Sequence, residues 1–269
     1  MSKKRDREML DKLISRDGYI VSQDNVVAGG FGMLSAFEHR LLDYCISFIR
    51  PDSKKDEIYT LEIAELLKYF HLNEGGGNYK RVIEAVHGLK YKPLYLPNFI
   101  KNEDGSFFYE ENKYGKKQRI QKGWIFSSAF GENVTVNYDG TITFSFSNDV
   151  ASFLFQLKRD FFQIPLSELR LIKGKYELIL LKLWQAEQRD YKKETVIKGT
   201  VDQWQTWYLG ENRRVASNIF KRDMLDKSRK QLEEDLGVET ELKRITKGRK
   251  LIGYEMTIID NRKNKKVIS

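Results

Sequence analysis

The 269-residue sequence predicts an α+β fold of two tandem winged-helix domains, and two observations predict it. The order helix, helix–turn–helix, β-hairpin is readable in residues 19–155 and recurs in residues 156–269. Each half closes on a hairpin with a glycine turn, Tyr138-Asp139-Gly140 in the first and Lys247-Gly248-Arg249-Lys250 in the second. The charge is also uneven: of the net +9, residues 161–269 carry +8 and residues 1–160 only +1. Such asymmetry points to a polyanionic partner for the second half.

The elements follow in order. Residues 1–18 read as a polar arm with a short amphipathic turn, Met9, Leu10, Leu13 and Ile14. A strand and a glycine-rich turn span residues 18–30. Ser35 and Glu38 then form a capping box, in which hydroxyl and carboxylate satisfy orphan backbone donors. Behind it Phe37, Leu41, Tyr44, Cys45 and Phe48 keep helical spacing. A short strand runs into a helix from Thr60; after the Gly75–Gly77 turn come a second helix and an exit strand. Residues 123–148 alternate and read as one β-hairpin. Residues 99–122 are polar and charged, an elongated wing or a mobile loop.

The second half opens with a linker helix over residues 149–164. A single periodic helix follows over residues 165–187, and a short one over residues 200–209, with Val201, Trp204 and Leu209 as core candidates. On the helix of residues 218–236, Phe220, Met224, Leu225, Ser228, Leu232 and Leu236 share one face. Asn218 reads as its cap in preference to a DNA contact.

Composition bounds the chemistry. Hydrophobic residues make up 41% and aromatics 13%, enough for a packed core. The lone Cys45 reads as a core residue and favours a reducing, cytoplasmic setting. The charged N-terminus carries no apolar signal segment, and no run approaches the ~18 apolar residues of a membrane span. No Walker A pattern occurs, since Tyr176 follows Gly174-Lys175. His39, His71 and His87 are scattered without metal-ligand spacing, and His39 is expected on a solvated helix face. Tyr176, Tyr208 and Tyr254 lie in apolar patterns that suit packing better than nucleophilic attack. Glu233 and Glu234 read as solvating a helix end. These observations imply no catalytic residue, metal or cofactor.

What remains is a basic constellation. Arg213, Arg214, Lys221 and Arg222 lie in or before the first turns of the 218–236 helix, and Lys227, Arg229 and Lys230 follow. Lys243, Arg244, Lys247, Arg249 and Lys250 crowd the hairpin. A recognition helix in the major groove with a wing on the adjacent backbone would use both. Lys247, Arg249 and Lys250 are expected at phosphates, Arg222, Arg229 and Lys230 at base edges. Lys80 and Arg81, at the start of a first-half helix, are candidates for DNA or simple surface residues.

On these residues the chain resembles the plasmid replication initiators of the iteron-binding, theta-replicating type. The likeness lies in LSAFEHRLLDYCISFI, residues 34–49, and from LIKGKYELILLKLWQ, residues 171–185, through the FKRDML helix to the KGRK hairpin. The resemblance implies a first domain for dimerisation and accessory DNA contact, and a second that binds origin direct repeats. It further implies origin opening without enzymatic activity, recruitment of the host initiator and helicase, and dimers repressing their own gene while monomers bind iterons. Two other readings are a winged-helix transcriptional repressor and a rolling-circle nickase.

Overall fold

The computed structural model describes residues 19–103, 107–111, 117–132, 134–157, 160–188 and 192–262; the predicted N-terminal arm lies outside them. Strand β1 (Ile20–Asp24) buries Val21, Gln23 and Asp24 and ends in a single 3-10 turn, Asn25–Val27. Helix α1 (Ala36–Ile46) starts at the predicted capping box: the Ser35 amide donates to the Glu38 carboxylate at 2.7 Å, and Ser35 Oγ accepts from the Glu38 amide. A cap of this kind stabilises by about 1 kcal/mol. Every residue of α1 from Phe37 to Ile46 is buried, so the helix lies inside the core. His39 is therefore not on a solvated face; it is fully buried against Phe31.

Strand β2 (Tyr59–Glu62) runs into α2 (Ile63–Tyr69), followed by α3 (Gly76–Tyr91) and exit strand β3 (Leu94–Phe99), in the predicted order. Residues 99–122 are a ribbon in their described part: β4 (Tyr109–Glu111) pairs with β5 (Lys117–Arg119). Its anchor is Arg119, whose Nη1 stands 2.6 Å from Asp24 Oδ2 in a nearly closed site.

The stretch 123–148 is not one hairpin. Strand β6 (Gln121–Ser127) pairs with β3, while β7 (Thr135–Val136) and β8 (Thr141–Phe144) form the hairpin and β8 also pairs with β2. The Tyr138-Asp139-Gly140 turn is as predicted, with Gly140 at φ +83°. Serines divide the two strands: Ser147 Oγ donates to the Ser128 carbonyl at 2.7 Å and the Ala129 amide to Leu89 at 2.9 Å, so the chain leaves β6 there.

The predicted linker helix is also replaced. Among its described residues, α4 (Asn148–Ala151) is the helical part, and Phe161–Pro165 form β9, antiparallel to β1. Phe162 and Ile164 are buried while Gln163 is exposed, a period of two that an apolar count reads as helix. The long helix of residues 165–187 is two, α5 (Leu166–Leu171) and α6 (Lys175–Glu187), separated by buried Ile172 and by Gly174.

Strand β10 (Glu194–Thr200), which sequence reasoning passed over, precedes α7 (Val201–Leu209). Trp204 and Leu209 of α7 are buried and Val201 packs at the core margin. Helix α8 (Ser217–Phe220) continues through a π-helical turn, Lys221–Leu225, into α9 (Asp226–Leu236). Its N-cap is Ala216, so Asn218 sits inside the first turn and does not cap it. The predicted core face is buried in full, Phe220, Met224, Leu225, Ser228, Leu232 and Leu236. Strands β11 (Glu239–Lys247) and β12 (Lys250–Ile259) close the chain in a sheet of order β10-β12-β11. Backbones meet closely here: a Cβ on Gly253 would lie 2.3 Å from the Gly199 carbonyl oxygen.

A buried polar contact joins elements far apart along the chain. Lys182 Nζ of α6 lies 2.7 Å from Asp43 Oδ1 of α1, and Gln23 Nε2 of β1 donates to the same oxygen at 2.9 Å. Both charged side chains are closed to solvent. Burial pushes the Asp43 carboxyl up, with Lys182 and Gln23 opposing. Removing one partner of such a pair costs about 3–5 kcal/mol, while an apolar replacement of both is often neutral. Lys182→Met is expected to show that loss in chemical denaturation, and Lys182→Met with Asp43→Leu to recover most of it.

A second buried carboxyl sets a pH dependence. Glu177 of α6 is buried, and burial, with Asp235 and Glu234 beside it, pushes its carboxyl up to about 8. The folded chain thus holds a proton that the unfolded chain releases near 4.5. That contribution is present below about pH 4.5 and is lost as pH rises through about 8. Thermal melts from pH 5 to 8.5 should show Glu177→Gln with a shallower decline than the wild type and a higher midpoint at pH 8.5.

Candidate nucleic-acid interface

Two charged stripes run along the 217–236 helix. In one, Lys221 Nζ stands 2.7 Å from Asp226 Oδ2, while Arg229 lies 3.3 Å from Asp226 Oδ1 and 3.8 Å from Glu233 Oε1. Glu233 in turn accepts from the Thr240 amide and hydroxyl at 3.0 and 2.5 Å. Lys221, Asp226 and Arg229 thus pair along the helix, and through Glu233 the stripe fastens it to β11 of the β11–β12 hairpin. The Tyr254 hydroxyl donates to the Ser217 carbonyl at 3.1 Å and closes the seam at the helix start. Glu233 is thus a structural clamp, whereas its sequence context reads only as a solvated helix end.

The other stripe points outward. Arg222 meets Asp223 through two hydrogen bonds, Nε to Oδ1 at 2.8 Å and Nη2 to Oδ2 at 2.7 Å, and Lys227 stands 3.6 Å from the same carboxylate. Lys230 continues the stripe and is exposed. The Arg222 side chain is 73% exposed and that of Arg229 26%. Of the residues expected at base edges, Arg222 and Lys230 are open to a partner, while Arg229 is occupied at the seam. The hydrogen bond to Asp223 holds the Arg222 guanidinium up, and that from Arg222 holds the Asp223 carboxyl down.

The hairpin divides its five cations. Gly248 at φ +61° takes the first central position of a two-residue turn, a conformation that costs glycine little, and Arg249 takes the second. Lys247, Arg249 and Lys250 are exposed at this tip, and no ion pair engages them among the described residues. Lys243 is on the other face: it aligns with Glu255, which Lys198 reaches at 3.1 Å, and its Nζ is 3.1 Å from Glu241. Arg244 aligns with Tyr254, on the face that meets the helix.

In the loop before the helix, Arg214 is committed to the fold. It pairs with Asp202 at 2.7 Å and donates to the carbonyls of Gly210, Glu211 and Arg213 at 2.9 Å each. Arg213 is exposed beside Lys175 and Lys92. Sequence reasoning missed these two lysines. Burial, followed by Arg213 and Lys92, pulls the Lys175 ammonium down to about 8, and its Nζ donates to the Gly32 carbonyl. In the first half, Lys80 is an exposed partner of Glu84 at 3.9 Å, and Arg81 stacks on Phe37 at 4.2 Å. Neither is brought to the helix–hairpin constellation.

The family described as Initiator Replication protein, WH1, matches residues 20–185. The chain belongs to this family of replication initiators. Its winged-helix WH1 region thus runs from β1 into α6, to residue 185, and includes the buried Asp43–Lys182 pair. No curated protein matches the chain. Among solved structures, the Pi initiator protein in complex with iteron DNA aligns over 91% of this chain and 98% of its own, at 15% identity and a TM-score of 0.67. That likeness is one of fold. Domains 2 and 3 of RctB align over 85% and 83% at 10% identity and a TM-score of 0.45. The MSBI1.176 WH1 domain, from a replication protein isolated from a multiple sclerosis patient, covers 66% of this chain and 98% of its own, with 16% identity and a TM-score of 0.33. Among the described residues of this initiator, no helix is long and apolar enough to cross a membrane, and no cluster of acids, histidines or cysteine could hold a metal.

The geometry separates two neighbouring arginines. Arg214→Ala should lower stability by about 1–2 kcal/mol in denaturant titrations, because it frees three carbonyls and Asp202. Arg213→Ala should leave stability within about 0.5 kcal/mol.

Proposed function

We propose that this chain is a sequence-specific double-stranded DNA-binding plasmid replication initiator that binds origin direct repeats. One observation carries the reading. The outward stripe of Arg222, Lys227 and Lys230 and the hairpin tip of Lys247, Arg249 and Lys250 are exposed cations of one helix–hairpin unit, in a chain of the initiator family. A helix that enters the major groove while a hairpin follows the neighbouring backbone uses both sets. The fold likeness to the Pi initiator, whose structure holds iteron DNA, supports the same reading.

In this proposal the chain is built of tandem winged-helix units, residues 19–155 and 156–269, behind an N-terminal arm of residues 1–18. The first unit mediates homodimerisation and accessory DNA contact, with Lys80 available to a phosphate. The second is the main DNA-binding unit. Monomers engage the repeats; the protein promotes origin opening, recruits the host initiator and helicase in the cytoplasm, and represses its own gene. It works by binding, without chemistry of its own. Burial of Tyr208 and Tyr254 in the packed core, with the Tyr208 hydroxyl pushed up by desolvation, supports this over a tyrosine nickase.

A salt-titrated binding assay tests the proposal, with DNA flanking the gene against a scrambled duplex. Specific binding should exceed nonspecific binding by about 10³-fold or more at physiological salt. Equal, steeply salt-dependent binding to both duplexes would refute it. Lys247→Ala, Arg249→Ala and Lys250→Ala should each weaken binding to every sequence and lower the salt slope by about 1.

A further inference from the structure

The outward stripe contains one residue that a DNA-facing surface should disfavour. Asp223 is a carboxylate between Arg222 and Lys227, on the face proposed to meet a polyanion. Of the other acids, Asp226 is held by Lys221 and Arg229 along the helix, Glu233 reaches Thr240 of the hairpin, and Glu234 and Asp235 lie at the helix end. Asp223 contributes nothing to the hairpin seam. Both its oxygens are turned to Arg222, Oδ1 to Nε at 2.8 Å and Oδ2 to Nη2 at 2.7 Å.

A guanidinium has five N–H donors in a fixed plane. Asp223 takes the Nε–H and one Nη2–H, which are the side edge of the fork. Three donors remain, both on Nη1 and one on Nη2, and two of them form the end edge. That edge matches the O6 and N7 acceptors of guanine in the major groove. The pair as a whole is neutral, so it gains little at a phosphate and is better matched to a base edge. Holding the fork in one orientation also removes the rotamer freedom that a free arginine would lose on binding.

We propose that Asp223 is a positioning residue that orients Arg222 to read a guanine end-on, so that specificity at one base pair belongs to the Arg222–Asp223 pair. Lys227, at 3.6 Å from Asp223 Oδ1, offsets the carboxylate's repulsion of the DNA backbone. The π-helical turn over residues 221–225 brings Lys221 to Asp226 at an i,i+5 spacing. Asp226 is thereby engaged by Lys221, and Asp223 is left to Arg222. This inference rests on the proposed function and deepens it.

The test uses full-length protein and a pool of duplexes randomised over the bound site, followed by competition titrations with single-base variants. The wild type should enrich a sequence with a guanine that Arg222→Ala no longer demands. Asp223→Asn keeps the size of the side chain but presents an amide donor to the guanidinium. It should relax the preference at that same position by roughly tenfold, within the discrimination of a bidentate arginine contact. Other positions and the salt slope should be unchanged. In the Arg222→Ala background, Asp223→Asn should have no further effect, because a positioning residue acts only through the group it holds.

Three results would overturn the inference alone. The Asp223→Asn protein could keep its guanine preference, the two substitutions could act additively, which would make Asp223 a separate base contact, or Asp223→Asn could tighten binding to all sequences, which would make the pair a restraint. A wild type that enriches no sequence would instead remove the proposed function itself. Circular dichroism of each variant controls for folding, and both residues are at the surface.

Discussion

Lys182 and Asp43 meet at 2.7 Å where water does not reach, and most of the architecture is arranged around that contact. Each ion loses several kcal/mol of hydration on burial, and only a close partner with further hydrogen bonds offsets that. Gln23 supplies one such bond from β1. The contact therefore fixes three elements at once: α1 of the first half, α6 that leads into the second, and the strand that starts the described chain. Strand β1 then pairs with β9 along its whole length, which ties the entry of the second half to the beginning of the first. The glycine loop between β1 and α1 extends the same junction. A Cβ on Gly32 would lie 2.7 Å from the Trp207 carbonyl oxygen, and one on Gly29 2.2 Å from the Trp207 ring. Loop and helix α7 touch closely because those side chains are missing.

From this junction the second half is built outward in layers of decreasing burial. Tyr208, Phe220 and Tyr254 pack at its centre, with the Trp204 indole donating to the Tyr254 carbonyl at 3.0 Å. The next layer is polar and internally paired, where Lys221, Arg229 and Asp226 pair along the helix and Glu233 joins it to the hairpin at Thr240. The outermost layer holds cations without acidic partners among the described residues, at the hairpin tip and at Lys230, with the Arg222–Asp223 pair beside them. Charges at the seam are spent on holding two elements together. Those beyond it keep their electrostatic reach, which at physiological ionic strength is about 8 Å.

The features legible in the sequence were those determined by neighbours along the chain. The capping box of Ser35 and Glu38, the Asp139-Gly140 and Gly248 turns, the six-residue core face of the 217–236 helix and the burial of Cys45 all follow from short spacings. Errors came where an apolar run had two interpretations. Phe161 to Ile164 reads as part of a longer apolar helix, but it becomes a strand because its aromatic and β-branched residues suit one and β1 offers it a ladder. His39 looked polar and ended in the core, where burial and the charges of Lys182 and Lys175 hold its imidazole well below the usual histidine range. Strand β10 was legible in principle from its β-branched Thr195, Val196 and Ile197, yet its short run is flanked by charge.

The sequence by itself determined the family resemblance, the order of most helices and hairpins and the concentration of positive charge near the C-terminus, because propensity, caps and net charge are local properties. Which cations remain available was decided only by tertiary structure. Arg214 and Lys230 are both basic residues near the same helix, but Arg214 is bound to Asp202 and three carbonyls while Lys230 faces solvent. Lys243 and Lys247 lie four positions apart on one strand, and the register puts Lys243 beside Glu255 on a face away from the helix, where its strand neighbour Glu241 also pairs with it. A charge acts on a distant partner only if no nearer one neutralises it, and nearness here is set by strand register, the π-helical turn and the packing of the helix on the hairpin.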